Sequence, residues 1–444
     1  LPNPSSSIPG DESEHRYFRL FHEQLSYDLC GYFEAPFWTR LIPQECHHEP
    51  AIRHATLAIS ALYKSCACRN GTTRTNDEHM EFALVQHSKA IGSFRNSLSG
   101  EQPQVRLALM ASLLFGCFES FHGNWESAWQ QAYSGLNILG QWRKNKLQGQ
   151  PSWRIAPIDA ELGVALIRLQ LQLESYLVMN PMIDIQVTEP EEMRVEEYPP
   201  YRFANLSEAF PLAINLASCS VRHSRKAARA LNLGSSEVAL EEERDALYDS
   251  LFQWTRAFRP LFLEAETGQV AGNQDLLGTL LLHTCLMAFE IVLATSLSKN
   301  ESIFDSYTEA FRRIVFLCRR VFQIEGERRQ VDGLKAQFGL GLIMVLYYVA
   351  TRCRESSIRR EAISILREWP SKNGIWDSLQ AAQVAEWIMG IEEEAACGEE
   401  IPEQARVRMS SLQVTRHKGG IDIECIQGQN DGIWRRRKAS LEFQ

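Results

Sequence analysis

The sequence predicts an all-α protein, a large helical domain of stacked antiparallel helices or a pair of helical lobes. Three observations lead there. Apolar residues recur three or four apart through most of the chain, and strand-like alternation is weak until about the last thirty residues. Hydrophobic residues make up 45% and charged residues 23%, the balance of a folded globular protein. The length of 444 residues exceeds the roughly 250–300 at which a single core stops growing, which is why two lobes are considered beside one stacked domain.

Residues 1–12, opening LPNPSSSIPG, read as a disordered linker. A helix is predicted over 14–30, and a second from Ala51 to Cys68. In the second, Ile52, Ala55, Ile59, Leu62 and Cys66 share one face and Pro50 sits near the first turn. After a helix over 78–98, Gln104–Phe121 and Trp125–Trp142 form an αα-hairpin joined by His122-Gly123-Asn124, where Gly123 permits the tight reversal. Trp129 lies on the apolar face of its second arm. A helix over 158–179 closes an N-terminal lobe of residues 13–183. The Pro- and Glu-rich stretch Asp184–Arg202 reads as a connector, taken as 184–204.

The second lobe, 205–400, is predicted to hold helices over 206–231, 237–258, 274–297, 302–324, 334–354, Ser357–Trp369 and 375–393. Pro370 ends the sixth of these, and Trp387 falls on the apolar face of the last. Residues 401–444 read as an irregular tail in which Ile421, Ile423 and Cys425 suggest one short strand.

Charge and cysteine usage exclude several classes. A formal net charge of −9 is not that of a surface built to attract phosphate, so direct nucleic-acid contact by this chain is not expected. Eleven cysteines are scattered, mostly in apolar stretches, with no C-x-x-C pair. They point to a reducing intracellular compartment, nucleus or cytoplasm. The longest apolar run, Leu276–Leu297, could span a bilayer by length, but it contains His283 and Glu290 and lacks flanking basic residues. A buried core helix is the expectation, and no membrane association.

Catalytic signatures are sparse. The chain has no G-x-S-x-G elbow, no P-loop and no G-x-G-x-x-G; Gly339-Leu-Gly341 lies in an apolar helix-like run. Cys46, His47, His48 and His54 collect zinc-type ligands, although Pro50 intervenes and the spacing is not H-E-x-x-H. Their plainer reading is a loop entering a helix, with Glu49 at the positive end of the helix dipole.

Asp77, Glu78 and Glu81 are the most enzyme-like group. Acids so spaced on a helix can hold Mg²⁺ against a diphosphate, as in terpene cyclase-like enzymes acting on prenyl diphosphates. A second metal motif is missing, and acids at a helix start also serve capping. No cofactor is therefore the main expectation and Mg²⁺ the alternative. The basic clusters Arg222–Arg229, Arg312/Arg313 and Arg319/Arg320 read as solvated helix faces. Arg435-Arg436-Arg437-Lys438 reads as a nuclear-import signal or a basic tail.

Four segments carry a resemblance. Tyr17–Leu62 is similar to the opening of the fungal-specific regulatory domain found behind Zn(II)2Cys6 zinc clusters. Phe82–Phe94 and the hairpin Leu107–Leu139 resemble its next segments, and Leu346–Glu394 resembles a later one; 184–300 matches weakly. The resemblance implies a helical regulatory domain of a transcription factor, often one controlling secondary-metabolite or nutrient genes. Its partners would be transcriptional proteins or a small-molecule effector, and a homodimer is compatible with it. The zinc cluster itself needs six cysteines with two C-x-x-C pairs, which this chain lacks. The chain begins at Leu1 rather than Met, so two expectations stay open: a cluster upstream, or a relative that lost it and turned its scaffold to ligand binding or catalysis.

Overall fold

Asp11 opens the first helix, α1 (Glu12–Leu20), through a capping box. Its carboxylate accepts from the Glu14 amide at 2.8 Å, and the Glu14 carboxylate accepts from the Asp11 amide at 3.3 Å. Just before it, Ile8 is buried and its carbonyl lies 2.7 Å from His15 Nε2. The linker expected over 1–12 therefore ends by residue 8, because an apolar side chain there has a core to enter. The computed structural model describes residues 8–33, 36–67, 73–98, 105–147, 157–179, 199–233, 238–268, 273–328, 335–337, 340–396, 400–408, 411–417, 420–428 and 434–442.

Past α1 the chain runs through a π-helical turn (Phe21–Leu25) into α2 (Ser26–Cys30), and through a second (Phe37–Leu41) into α3 (Ile42–His48). The sequence reading left 36–48 without a helix, since Pro36, Pro43 and Pro50 break any long periodic run. Phe18, Phe21, Phe37, Trp38 and Ile42 are nevertheless all buried. The long helices α4 (Pro50–Ala67), α5 (Thr73–Leu98), α6 (Val105–His122) and α7 (Trp125–Leu147) follow. Gly123 joins the last two at φ +90°, a left-handed conformation that glycine adopts without strain.

The α6–α7 hairpin packs on α8 (Pro157–Met179), and two glycines set the separation. A Cβ on Gly116 would lie 2.7 Å from Leu169 Cδ2, and one on Gly135 2.9 Å from Leu166 Cδ2. Beyond it stand α9 (Leu206–Leu233), α10 (Val238–Glu266), α11 (Asn273–Thr295) and, after a 3₁₀ turn over Glu301–Tyr307, α12 (Thr308–Arg328). The helix expected over 237–258 is longer: α10 continues through Pro260 to Glu266. Packing of Phe258, Phe262 and Ala265 in the core holds the helix together through the proline.

The run expected as one helix over 334–354 is divided. Residues Lys335–Gln337 form strand β1, and α13 (Leu342–Arg352) starts only after Gly341, which is extended at the helix N-cap. α14 (Ser356–Glu368) and α15 (Ser378–Glu393) enclose β2 (Ser371–Asn373) and β3 (Trp376–Asp377). β1 pairs parallel to β2 and β2 antiparallel to β3. Asp377 caps α15 through the Leu379 and Gln380 amides.

The tail is not irregular. β4 (Gln413–His417), β5 (Gly420–Gly428) and β6 (Trp434–Glu442) form an antiparallel sheet in that order. The suggested strand is its centre, where Ile421, Ile423 and Cys425 face the core. Its neighbours were illegible because Arg435–Lys438 carries no apolar alternation.

A buried ionic clamp fastens the tail to the helices. One Glu392 oxygen accepts from the Val407 amide (2.6 Å) and Arg354 (2.9 Å), the other from Arg359 (2.7 Å). Burial alone would raise the Glu392 pKa, but Arg354 and Arg359 outweigh it and hold the carboxyl below its usual range. Nearby, Glu403 accepts from the Glu301 and Ser302 amides, and Arg406 forms a bidentate pair with Asp305 at 2.8 Å on each arm.

One contiguous apolar cluster runs from Ile8 to Cys425, and α8 packs against α9 across the expected lobe boundary. Most of the connector expected at 184–204 lies outside the described residues. α6 and α11 are each long and apolar enough to cross a membrane, and each is 78% buried inside the helical body.

Candidate functional site

The zinc-type group does not converge. Cys46 is buried and its thiol donates to Thr56 Oγ1 at 3.4 Å; burial pushes its pKa up to about 12. His47 meets the Phe18 ring edge-on, and His48 is exposed. His54 Nδ1 instead lies 2.6 Å from Gln86 Oε1 on α5. Glu78 and Glu81 are exposed on α5; the side chain of Asp77 lies outside the described residues. The helix begins at Thr73 rather than near residue 77, so these acids occupy its second and third turns and not its capping positions. Among the described residues, no three His, Cys, Asp or Glu side chains are grouped to hold a metal ion.

The polar chemistry of the interior sits elsewhere, on α8. Residues Arg168–Tyr176 are all buried, yet four of these nine are Arg168, Gln170, Gln172 and Glu174. A helix enclosed on every side is ordinarily apolar all round, and buried polar groups cost free energy unless paired. The Arg168 guanidinium donates to the Cys30 carbonyl at 3.1 Å, closing the end of α2. Burial lowers its pKa to about 10, which leaves it charged at neutral pH.

Gln170 Nε2 donates to Glu174 at 2.7 Å, while its Oε1 has no partner among the described residues. Gln172 donates to Asn373 of β2. The Ser175 hydroxyl donates to the Gln172 carbonyl (2.8 Å) and accepts from Trp376 Nε1 (3.4 Å). Gly374, at φ +56° between β2 and β3, makes this approach possible. A Cβ there would lie 2.3 Å from Gln172 Oε1.

A second polar group faces α10 from α9. His223 is fully buried, with Nδ1 3.7 Å from Glu243, and Lys226 reaches the same carboxylate at 3.3 Å. The His223 ring, against burial and with help from Lys226, depresses the Glu243 pKa to about 2.

Beside the end of α8 a narrow cleft opens between α8, α9, α11 and α13, with about 10 Å³ of room inside, enough for one water-sized group. Val221, Phe289, Val292 and Val345 line it with Ser175 and Tyr348, and the surface they present to it is apolar. The Tyr348 hydroxyl faces Thr295 without a partner at hydrogen-bonding geometry, and burial raises its pKa above the usual phenol range. Neither the α8 row nor this cleft was anticipated. Polar residues on every side of an otherwise apolar helix were the readable signal for the row. The cleft depends on long-range packing that has no sequence signature.

Residues 16–144, from α1 into α7, match the family model described as the fungal specific transcription factor domain. The resemblance read from the sequence holds over these residues. No curated protein and no solved structure matches the chain. The cleft lies wholly outside the matched residues, although α8 rests directly on the matched α6–α7 hairpin.

Proposed function

We propose that the chain is the regulatory part of a fungal transcriptional regulator, acting in the nucleus through partner proteins and responding to a small effector. The family match over α1–α7 carries the regulatory reading. The continuous core supports extending it to the rest of the chain, since a change in packing around α8 is felt by the matched hairpin. The effector half is suggested by the cleft, whose apolar walls suit a small apolar group and must part to admit anything larger.

Tethering tests the reading. The chain is fused to an unrelated DNA-binding module and reporter transcription is measured in a fungal host. A change in output over the module alone is expected. Val178→Phe, at a half-buried wall residue of the cleft, is expected to alter the response to growth medium without lowering the amount of fusion protein. A fusion indistinguishable from the bare module in every medium would sink the proposal.

A further inference from the structure

β6 is an edge strand of nine residues. Its register with β5 is complete from Gly428↔Trp434 to Gly420↔Glu442, and among the described residues no strand pairs with its other side. Alternate residues of an antiparallel edge strand turn both backbone N–H and C=O away from the neighbouring strand. Such an edge is a template for a further strand unless something blunts it. It contains no proline and no bulge, and at its end Gln383 Nε2 of α15 donates to the Glu442 carbonyl at 3.2 Å; along Trp434–Leu441 its side chains decide what can pair there.

Those side chains select by charge. Four consecutive residues, Arg435–Lys438, are basic in a chain whose net charge is −9. Arg436 and Lys438 both lean inward over the sheet to one carboxylate, Glu424, at 3.0 and 2.7 Å. Arg437 pairs with Glu394, so three cations meet two carboxylates and a positive excess remains; Arg436 and Lys438 stay more than half exposed (62% and 61%). Beside them Trp434 is 52% exposed and Ile426 of β5 45% exposed, with the Arg408 guanidinium 5.7 Å over the indole. An exposed Trp framed by Arg is the composition of an interface hot spot.

A second copy of this chain is a poor occupant. Laid antiparallel about Lys438, the middle of the strand, it would set Lys438 against Lys438, a like-charge pair that destabilises the pairing, and Arg436 against Ser440, with no carboxylate facing either cation. An acidic strand does the reverse. Its carboxylates would stand across from Arg436 and Lys438 on the side away from Glu424, completing alternating rows of charge across the sheet.

We propose that the free edge of β6 is a docking site for an extended acidic segment of a partner protein, added as a fourth strand with an apolar residue seated against Trp434 and Ile426. Backbone hydrogen bonds hold the segment, and the basic block and Trp434 choose it. The four-residue basic run is then a recognition strand rather than a loose tail.

A fluorescein-labelled peptide of alternating Glu and Val, about ten residues long to match a long strand, is titrated into the full chain and followed by anisotropy. Saturable binding is expected that weakens as salt rises. Trp434→Ala and the double variant Arg436→Gln/Lys438→Gln should each weaken it about tenfold or more. A peptide N-methylated at alternate residues on its pairing side should bind at least tenfold more weakly than the unmodified one, since strand addition needs its N–H groups. The proposal is overturned if a Lys/Val peptide binds as tightly, if N-methylation is harmless, or if Trp434→Ala and the double variant bind like the wild type. Concentration-dependent dimers that Arg436→Glu abolishes would assign the edge to a second copy instead. Circular dichroism melts of each variant separate lost binding from lost folding.

Discussion

Glu392 joins α14, α15 and the segment leading to β4 through Arg359, Arg354 and the Val407 amide. Replacing it by Gln leaves Arg359 buried without its counter-charge, although Arg354 retains Glu301 at 3.2 Å. Removing one partner of a buried ion pair costs roughly 3–5 kcal/mol. Glu392→Gln should therefore lower the urea midpoint by a corresponding amount with the slope unchanged, and a wild-type midpoint would show that the clamp carries no stability.

Acid acts through two groups in two windows. The folded Glu392 carboxyl lies below its usual pKa, so its contribution is present above about pH 4.5 and is lost as pH falls through the lower folded value. His283, whose ring is tilted 37° to that of Phe262 at 4.0 Å, has its pKa pushed down to about 4, by burial first and then by Arg313, with Glu266 opposing. The unfolded chain takes up that proton near pH 6.5 and the folded one does not until about 4. Stability should accordingly decline from pH 6.5 to 4 on this account. His283→Gln should flatten the decline between pH 7 and 5; an unchanged slope would assign it to other groups. Neither group's role was readable in advance, because the partners of Glu392 come from 33 and 38 residues away and the segment at Val407.

Helices were the legible elements wherever an apolar stripe exceeded about three turns. The faces read from Ile52, Ala55, Ile59 and Leu62, and from Ile358, Ala362 and Ile365, are buried faces of α4 and α14. Periodicity failed where the chain is short and broken by prolines, as over 36–48. It also failed where glycine ends a run, as at Gly341, and where strand residues are charged, as in β6. It located apolar faces without ranking their depth. Trp129 is 3% exposed, whereas Trp387 is only partly buried against the core. Trp129→Ala should thus cost roughly 3–5 kcal/mol and Trp387→Ala clearly less. Equal losses in thermal melts of the two variants would contradict that ordering. Of the candidate site residues, Cys46 and His54 turn to different partners, Thr56 and Gln86, while Glu78 and Glu81 are exposed on α5. Polar residues inside α8, passed over as part of an ordinary helix, lie at the centre of the molecule.

At the scale of the molecule, length suggested two lobes, while the packing is continuous. α8 touches the matched hairpin on one side and α9 and α13 on the other, so few contacts could be lost at residue 180 without exposing its buried Arg168 and Glu174. That continuity is what lets the regulatory role proposed from the match at residues 16–144 be extended to the whole chain. It predicts cooperative behaviour that separate lobes would lack. Hydrogen exchange under native conditions, read peptide by peptide, is the most direct measurement. The account predicts that the slowest amides of α6, α8, α11 and α13 share one opening free energy and lose protection together as urea is raised. Two protection classes divided between α1–α8 and α9–α15, each lost at its own urea concentration, would contradict it.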